Sequence, residues 1–128
     1  MIQGGLILVD TSIWIDHLRA TGGPLAPVLQ ANKVCGHAAI IGELACGNIG
    51  NRSEVLELLQ ALPRLAGASD DEALHFIDRH QMMGRDIGYI DAHLLAACAL
   101  SGARLWSRDK RLVAFARALG LAYEHTAH

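Results

Sequence analysis

Four acidic residues, Asp10, Glu43, Asp91 and Asp109, are of the type that holds a cation, and two of them, Glu43 and Asp91, stand in apolar surroundings. Asp10 directly follows the run Leu6-Ile7-Leu8-Val9, Asp91 stands between Ile90 and Ala92, and Asp109 follows Trp106 by three positions. Glu43 is set within Ile40-Ile41-Gly42-Glu43-Leu44-Ala45-Cys46-Gly47, and the nearest basic residues are Lys33 and Arg52. An unpaired carboxylate in an apolar setting is costly. Glu43 and Asp91 therefore call for a cation, and a divalent metal is the economical partner. Oxygen-only ligands fit Mg2+ or Mn2+ rather than zinc. The seven histidines contain no HExxH pattern that would argue for zinc. Asp10 and Asp109 have a second reading, as helix N-caps worth about 1 kcal/mol each.

The elements that position these acids follow from the hydrophobic pattern. Leu6 to Val9 reads as a strand buried on both faces. Asp10-Thr11-Ser12 then favours the start of a helix through Ile13, Trp14 and Leu18, which Gly22-Gly23-Pro24 stops. A short helix over 24–30 and a weak strand at Val34-Cys35 follow, then a helix from Ala38 to Cys46. Val55, Leu58, Leu59 and Leu62 repeat at helical spacing, with Asn51 and Glu54 placed like a capping box. Ala73, Phe76, Ile77 and His80 form another helical stripe after the acidic start Asp70-Asp71-Glu72. Asp91 to Leu100 is apolar nearly all round and predicts a buried helix. Arg104 to Trp106 reads as a strand, Leu112 to Leu119 as an amphipathic helix, and Leu121 to Tyr123 as a last short strand. Alternating strands and helices predict an α/β fold. The expected architecture is three α/β/α layers around a mostly parallel sheet of about four or five strands. In such sheets ligands bind beyond the carboxyl ends of the strands, where acids at 10, 91 and 109 converge and Glu43 leans in from a flanking helix.

With 128 residues and no repeat or linker, the chain reads as a single domain spanning 1–128. Its hydrophobic fraction of 52% argues against disorder. The apolar run before Asp10 is too short for a leader, and Leu94 to Leu100 is too short to cross a membrane. The expected setting is soluble and cytoplasmic, with Cys35, Cys46 and Cys98 as reduced, buried thiols. The net charge of −2 argues against nucleic acid held by electrostatics alone, unless the acids are gathered in a site whose cations cancel them. Trp14, Phe76 and Met82-Met83 are candidates for a dimer interface or for the core.

These residues resemble the PIN-domain family. Val9-Asp10-Thr11-Ser12-Ile13-Trp14-Ile15 is similar to its opening motif, and Glu43-Leu44-Ala45-Cys46-Gly47 to its second. Asp91-Ala92-His93-Leu94-Leu95-Ala96 resembles the third, and Ser107-Arg108-Asp109 the fourth, with serine where the family usually carries threonine. The four occur in the family's order, and small chains of this kind look most like VapC-type toxins of bacterial toxin–antitoxin pairs. The resemblance implies a Mg2+- or Mn2+-dependent endoribonuclease acting on structured RNA such as tRNA or rRNA. It also implies a homodimer and an antitoxin partner that covers the active-site groove. Asp10, Glu43, Asp91 and Asp109 would be both catalytic residues and metal ligands, and attack by water leaves a 5′-phosphate and a 3′-hydroxyl. Thr11, Ser12 and Ser107 would orient the carboxylates, with helix capping as their other reading. Arg108, Lys110 and Arg111 would hold RNA phosphates, against the alternative of a solvated face. A catalytically silent interaction module with the same fold is the competing reading. A HAD-like phosphatase is less apt, because the second acid it needs is Ser12 here.

Overall fold

A computed structural model describes residues 5–20 and 23–125; Gly22 and His128 lie outside them. The sheet is built on β1 (Ile7–Val9), whose three residues are at most 4% exposed. Successive side chains of a strand face opposite ways, so burial of all three means that both faces of the sheet are covered. β1 pairs in parallel with β2 (Val34–Cys35) on one side and β3 (Arg104–Trp106) on the other. The order is β2-β1-β3, which puts the strand carrying Asp10 in the centre.

The expected four or five strands reduce to three among the described residues, each edge being extended by a single parallel bridge. At the β2 edge, Gly36 N–H donates to Pro63 O and Leu65 N–H to Gly36 O. Pro63 has no N–H to carry the ladder further. At the β3 edge, Leu105 N–H donates to Leu121 O and Tyr123 N–H to Leu105 O. Beyond it, Glu124 is taken by Arg117 in a two-pronged ion pair instead of continuing along β3.

Seven helices cover the sheet among the described residues: α1 (Thr11–Arg19), α2 (Leu25–Gln30), α3 (Ala38–Cys46), α4 (Arg52–Ala61), α5 (Asp70–Arg79), α6 (Tyr89–Ser101) and α7 (Lys110–Ala118). α6 starts two residues earlier than its apolar pattern indicates, so Asp91 is its third residue rather than its first. Gly102, at φ 73°, closes α6 in the left-handed conformation that glycine adopts without strain. The capping box expected at Asn51 and Glu54 does not form. Asn51 is itself left-handed, at φ 52°, and its side chain makes no cap bond. A complete capping box stands instead at α5, where Ser69 Oγ accepts Glu72 N–H and Glu72 Oε1 accepts Ser69 N–H.

Trp14 and Met82 are buried in the core, Phe76 is half-buried, and Met83 is exposed. Burial pushes the Cys35 and Cys98 thiols up to about 12, whereas Cys46, expected to be buried, is exposed at the end of α3. No helix of the described residues is long and apolar enough to cross a membrane.

Candidate active site

Asp10 occupies the N-cap position of α1, and its carbonyl accepts Ile13 N–H and Trp14 N–H. Its side chain makes no capping bond. Oδ2 instead accepts from Ser107 Oγ at 2.7 Å and from Ser12 Oγ at 3.5 Å. The two serines are tied in turn to the backbone after β3. Arg108 N–H donates to Ser12 Oγ and Asp109 N–H to Ser107 Oγ. Two of the hydroxyls expected to orient a carboxylate thus bond to Asp10, that of Ser107 across 97 residues of sequence.

Glu43 lies in the middle of α3, and its Oε1 accepts a hydrogen bond from Thr11 Oγ1 at 2.8 Å. It is exposed, which corrects the expectation of an apolar-embedded carboxylate. Ile40 and Leu44, one helical turn apart, are buried on the other side of the helix. Neighbours in sequence do not share a face in a helix, so the apolar run around Glu43 does not enclose it.

Asp91 is half-buried in the first turn of α6. Burial raises its pKa first, and the nearby charges of Asp10, Asp109 and Glu43 raise it further, partly offset by a backbone hydrogen bond at Gly88. One carboxyl therefore senses the other three, and the structure brings all four acids within electrostatic reach. Asp109 is exposed and caps α7, with Oδ1 accepting Arg111 N–H at 3.0 Å and Leu112 N–H at 3.2 Å. Its capping reading therefore holds, alongside its place in the field at Asp91. Among the described residues no three His, Cys, Asp or Glu side chains are drawn tightly enough to hold a metal ion. The donor set is nonetheless all carboxylate and hydroxyl oxygen, which suits a hard cation that retains part of its water shell.

The basic residues beside Asp109 are partly engaged. Arg108 forms an ion pair with Asp16 of α1, and Arg111 Nε lies 3.7 Å from Asp86. Lys110 is exposed at the start of α7. Asp16 escaped the sequence reading because its partner lies 92 residues away and no local pattern links them. His37 was missed for a different reason. It is a buried N-cap whose Nδ1 accepts Ala39 N–H at 3.0 Å, a role that histidine seldom fills beside Ser, Thr, Asp and Asn.

The sequence matches the family described as PIN domain over residues 7–118. The chain belongs to the PIN-domain family. It is 45% identical over 118 residues to Ribonuclease VapC32 of Mycobacterium tuberculosis strain H37Rv, covering 91% of this chain and 95% of that protein. The Ribonuclease VapC32 of strain CDC 1551 / Oshkosh matches equally. Among solved structures, the PIN domain here superposes on PAE2754 from Pyrobaculum aerophilum with a TM-score of 0.59 and 19% identity, over 86% of this chain and 78% of that one. It superposes on FitAB, solved bound to an IR36 DNA fragment, with a TM-score of 0.65 and 17% identity, over 96% and 99% of the two chains. At those identities the structural likeness concerns the fold. The family resemblance drawn from the sequence therefore stands.

Proposed function

We propose that this PIN domain is a Mg2+- or Mn2+-dependent endoribonuclease, the toxin of a toxin–antitoxin pair, cutting structured RNA such as tRNA or rRNA. The observation that carries this is the hydrogen bonding that draws the acids together: Ser107 holds Asp10 and the backbone of Asp109, Thr11 beside Asp10 holds Glu43, and half-buried Asp91 feels the charges of all three. Four acids from four separate segments, placed beyond the strand ends, repel one another in the protein alone and are relieved by cations. The 45% identity to Ribonuclease VapC32 supports RNA as the substrate.

In this reading Asp10, Glu43, Asp91 and Asp109 hold one or two divalent ions, directly or through water. The ions, when bound, supply Lewis-acid stabilisation of the phosphodiester charge and a more acidic water. The chain's own part is positioning. Ser107 and Ser12 fix Oδ2 of Asp10, and Thr11 fixes Glu43 on its helix. Asp109 is held by the first turn of α7, which leaves it little freedom to drift from the group. Arg108, Lys110 and Arg111 contact RNA phosphates, and water attacks to leave a 5′-phosphate and a 3′-hydroxyl. A homodimer, a cognate antitoxin covering the acids, a cytoplasmic setting and a single domain complete the proposal.

The test is cleavage of bacterial RNA by the purified chain in EDTA, Mg2+ and Mn2+, with Asp91→Asn alongside. Discrete cuts should require metal. In the variant they should fall by more than the roughly 10–100-fold typical of removing a group behind a metal ligand. Equal cutting by both proteins refutes the assignment. A folded wild-type chain that binds Mn2+ but cuts no RNA favours the silent interaction module.

A further inference from the structure

A second feature lies one side chain away from the acids. A cavity of about 370 Å³ opens between α1, the start of α2 and the end of β3, at the small end of the roughly 300–1,000 Å³ typical of ligand pockets. Its walls are apolar, from Ile13 and Leu25, and aromatic, from Trp106 and His125. The Trp106 and His125 rings stack at 5.7 Å, with 24° between their planes. His17, one helical turn from Ile13, also lines the cavity, and its Nδ1 is buried without a hydrogen-bond partner among the described residues. Asp16 and Arg108 stand at the rim, and the same ion pair borders a shallower recess that holds Ser12 and Asp109. The cavity and that recess thus share the Asp16–Arg108 pair as a common wall.

We infer that this cavity receives a single nucleobase of the RNA, that of a nucleotide adjoining the phosphate held at the acids. The inference rests on the ribonuclease reading and adds where part of its sequence preference resides. A nucleobase is flat, stacks on aromatic rings and carries donors and acceptors on its edge. The cavity offers the counterparts: a stacked ring pair on its wall, and a carboxylate and a guanidinium at its rim. An aliphatic side chain from a protein partner would fill the same volume but use neither the stacked rings nor the charged pair at the rim. Arg108 links the two halves. Its backbone is bonded to Ser12 beside the acids and its side chain borders the cavity, so a nucleotide with its phosphate at one and its base in the other passes across it.

The experiment uses the full chain labelled with 15N and titrated, without metal, with each of the four nucleoside 5′-monophosphates. Saturable shifts are expected at the Trp106 indole N–H and the amides of Arg108 and His125, with one base preferred. Ala20→Phe, from an exposed residue on the cavity wall, should abolish these shifts. His125→Ala, a surface change that leaves the core intact, should weaken them roughly fivefold or more, as loss of a stacking partner does. No saturable change at the cavity with any nucleotide overturns the inference, as do shifts that persist undiminished in Ala20→Phe. An Ala20→Phe chain that keeps nucleotide binding and RNA cleavage but escapes its antitoxin also overturns it, and assigns the cavity to the protein partner. Metal-dependent cleavage of RNA by a wild-type chain whose cavity ignores nucleotides removes only this inference. Nucleotides seated in the cavity of a chain that cuts no RNA remove the ribonuclease reading and leave the base site standing.

Discussion

Replacing Ser107 with alanine removes one hydroxyl that serves two acids. Its Oγ donates to Asp10 Oδ2 at 2.7 Å and accepts Asp109 N–H at 3.1 Å. A hydrogen bond to a charged group contributes about 1.5–3 kcal/mol. Asp10 is half-buried, so water recovers part of this, and the exposed Asp109 amide finds water outright. The expected loss is about 1–2 kcal/mol. A chain between the small and large size classes melts about 3–5 °C lower per kcal/mol, so the midpoint should fall by about 3–10 °C. The second effect separates positioning from simple bracing. Loss of a group that orients a ligand typically costs 10–100-fold in metal affinity, so calorimetric Mn2+ affinity in Ser107→Ala should drop by about that factor. Ser107→Thr, which keeps the hydroxyl, should restore it. A variant that melts lower yet binds Mn2+ as tightly as wild type would refute the reasoning. Ser107 would then merely pin β3 to β1.

Arg108→Gln should change the melting temperature little, because exposed ion pairs such as Arg108–Asp16 contribute about 0–1 kcal/mol. It should weaken RNA binding and lower the slope of log affinity against log salt by about 1, measured by fluorescence anisotropy. Burial, with His93 and Arg64 nearby, holds the His37 pKa below its ordinary 6.5. The unfolded chain therefore takes up the proton first as pH falls, so this contribution is complete above about pH 6.5 and shrinks below it, down to the folded-state value. His37→Asn keeps a capping acceptor without a titration, so its melting temperature should fall less than wild type between about pH 7.5 and pH 5. Ser69→Ala opens the α5 capping box and should cost about 1 kcal/mol in urea denaturation.

Much of this arrangement was legible because the signals were local. A continuous apolar strand ending in Asp10, an all-apolar α6 and the Trp106 strand are short-range patterns, and they place Asp10 and Asp109 after strands and Asp91 at the start of a helix. What failed depended on the third dimension. Glu43 looked embedded because its sequence neighbours are apolar, but helical rotation turns it outward. Asn51 has the composition of a cap, but a left-handed backbone prevents it from capping. Leu121 to Tyr123 has a strand's composition, yet makes only one bridge before Glu124 is drawn to Arg117. The ion pair of Asp16 with Arg108 and the cavity it borders join residues far apart in the chain, and no periodicity reports such pairs.

The bond from Ser107 to Asp10 also bears on when the acids first meet. β1 is the first strand of the described residues and the central one, and β3, which carries Ser107 to its place, pairs with it from 97 residues further along the sequence. On the ribosome, a chain stopped short of Trp106 holds Asp10, Glu43 and Asp91 but has no strand to seat beside β1 and no Asp109. The four carboxylates become a set only when β3 and the start of α7 have emerged and docked, a long-range closure of the kind that slows folding. A sub-global opening that frees β3 and α7 while the rest stays folded would dissolve the set again. The complete group of acids is thus a property of the closed sheet, gained only when β3 docks and lost when that edge lets go.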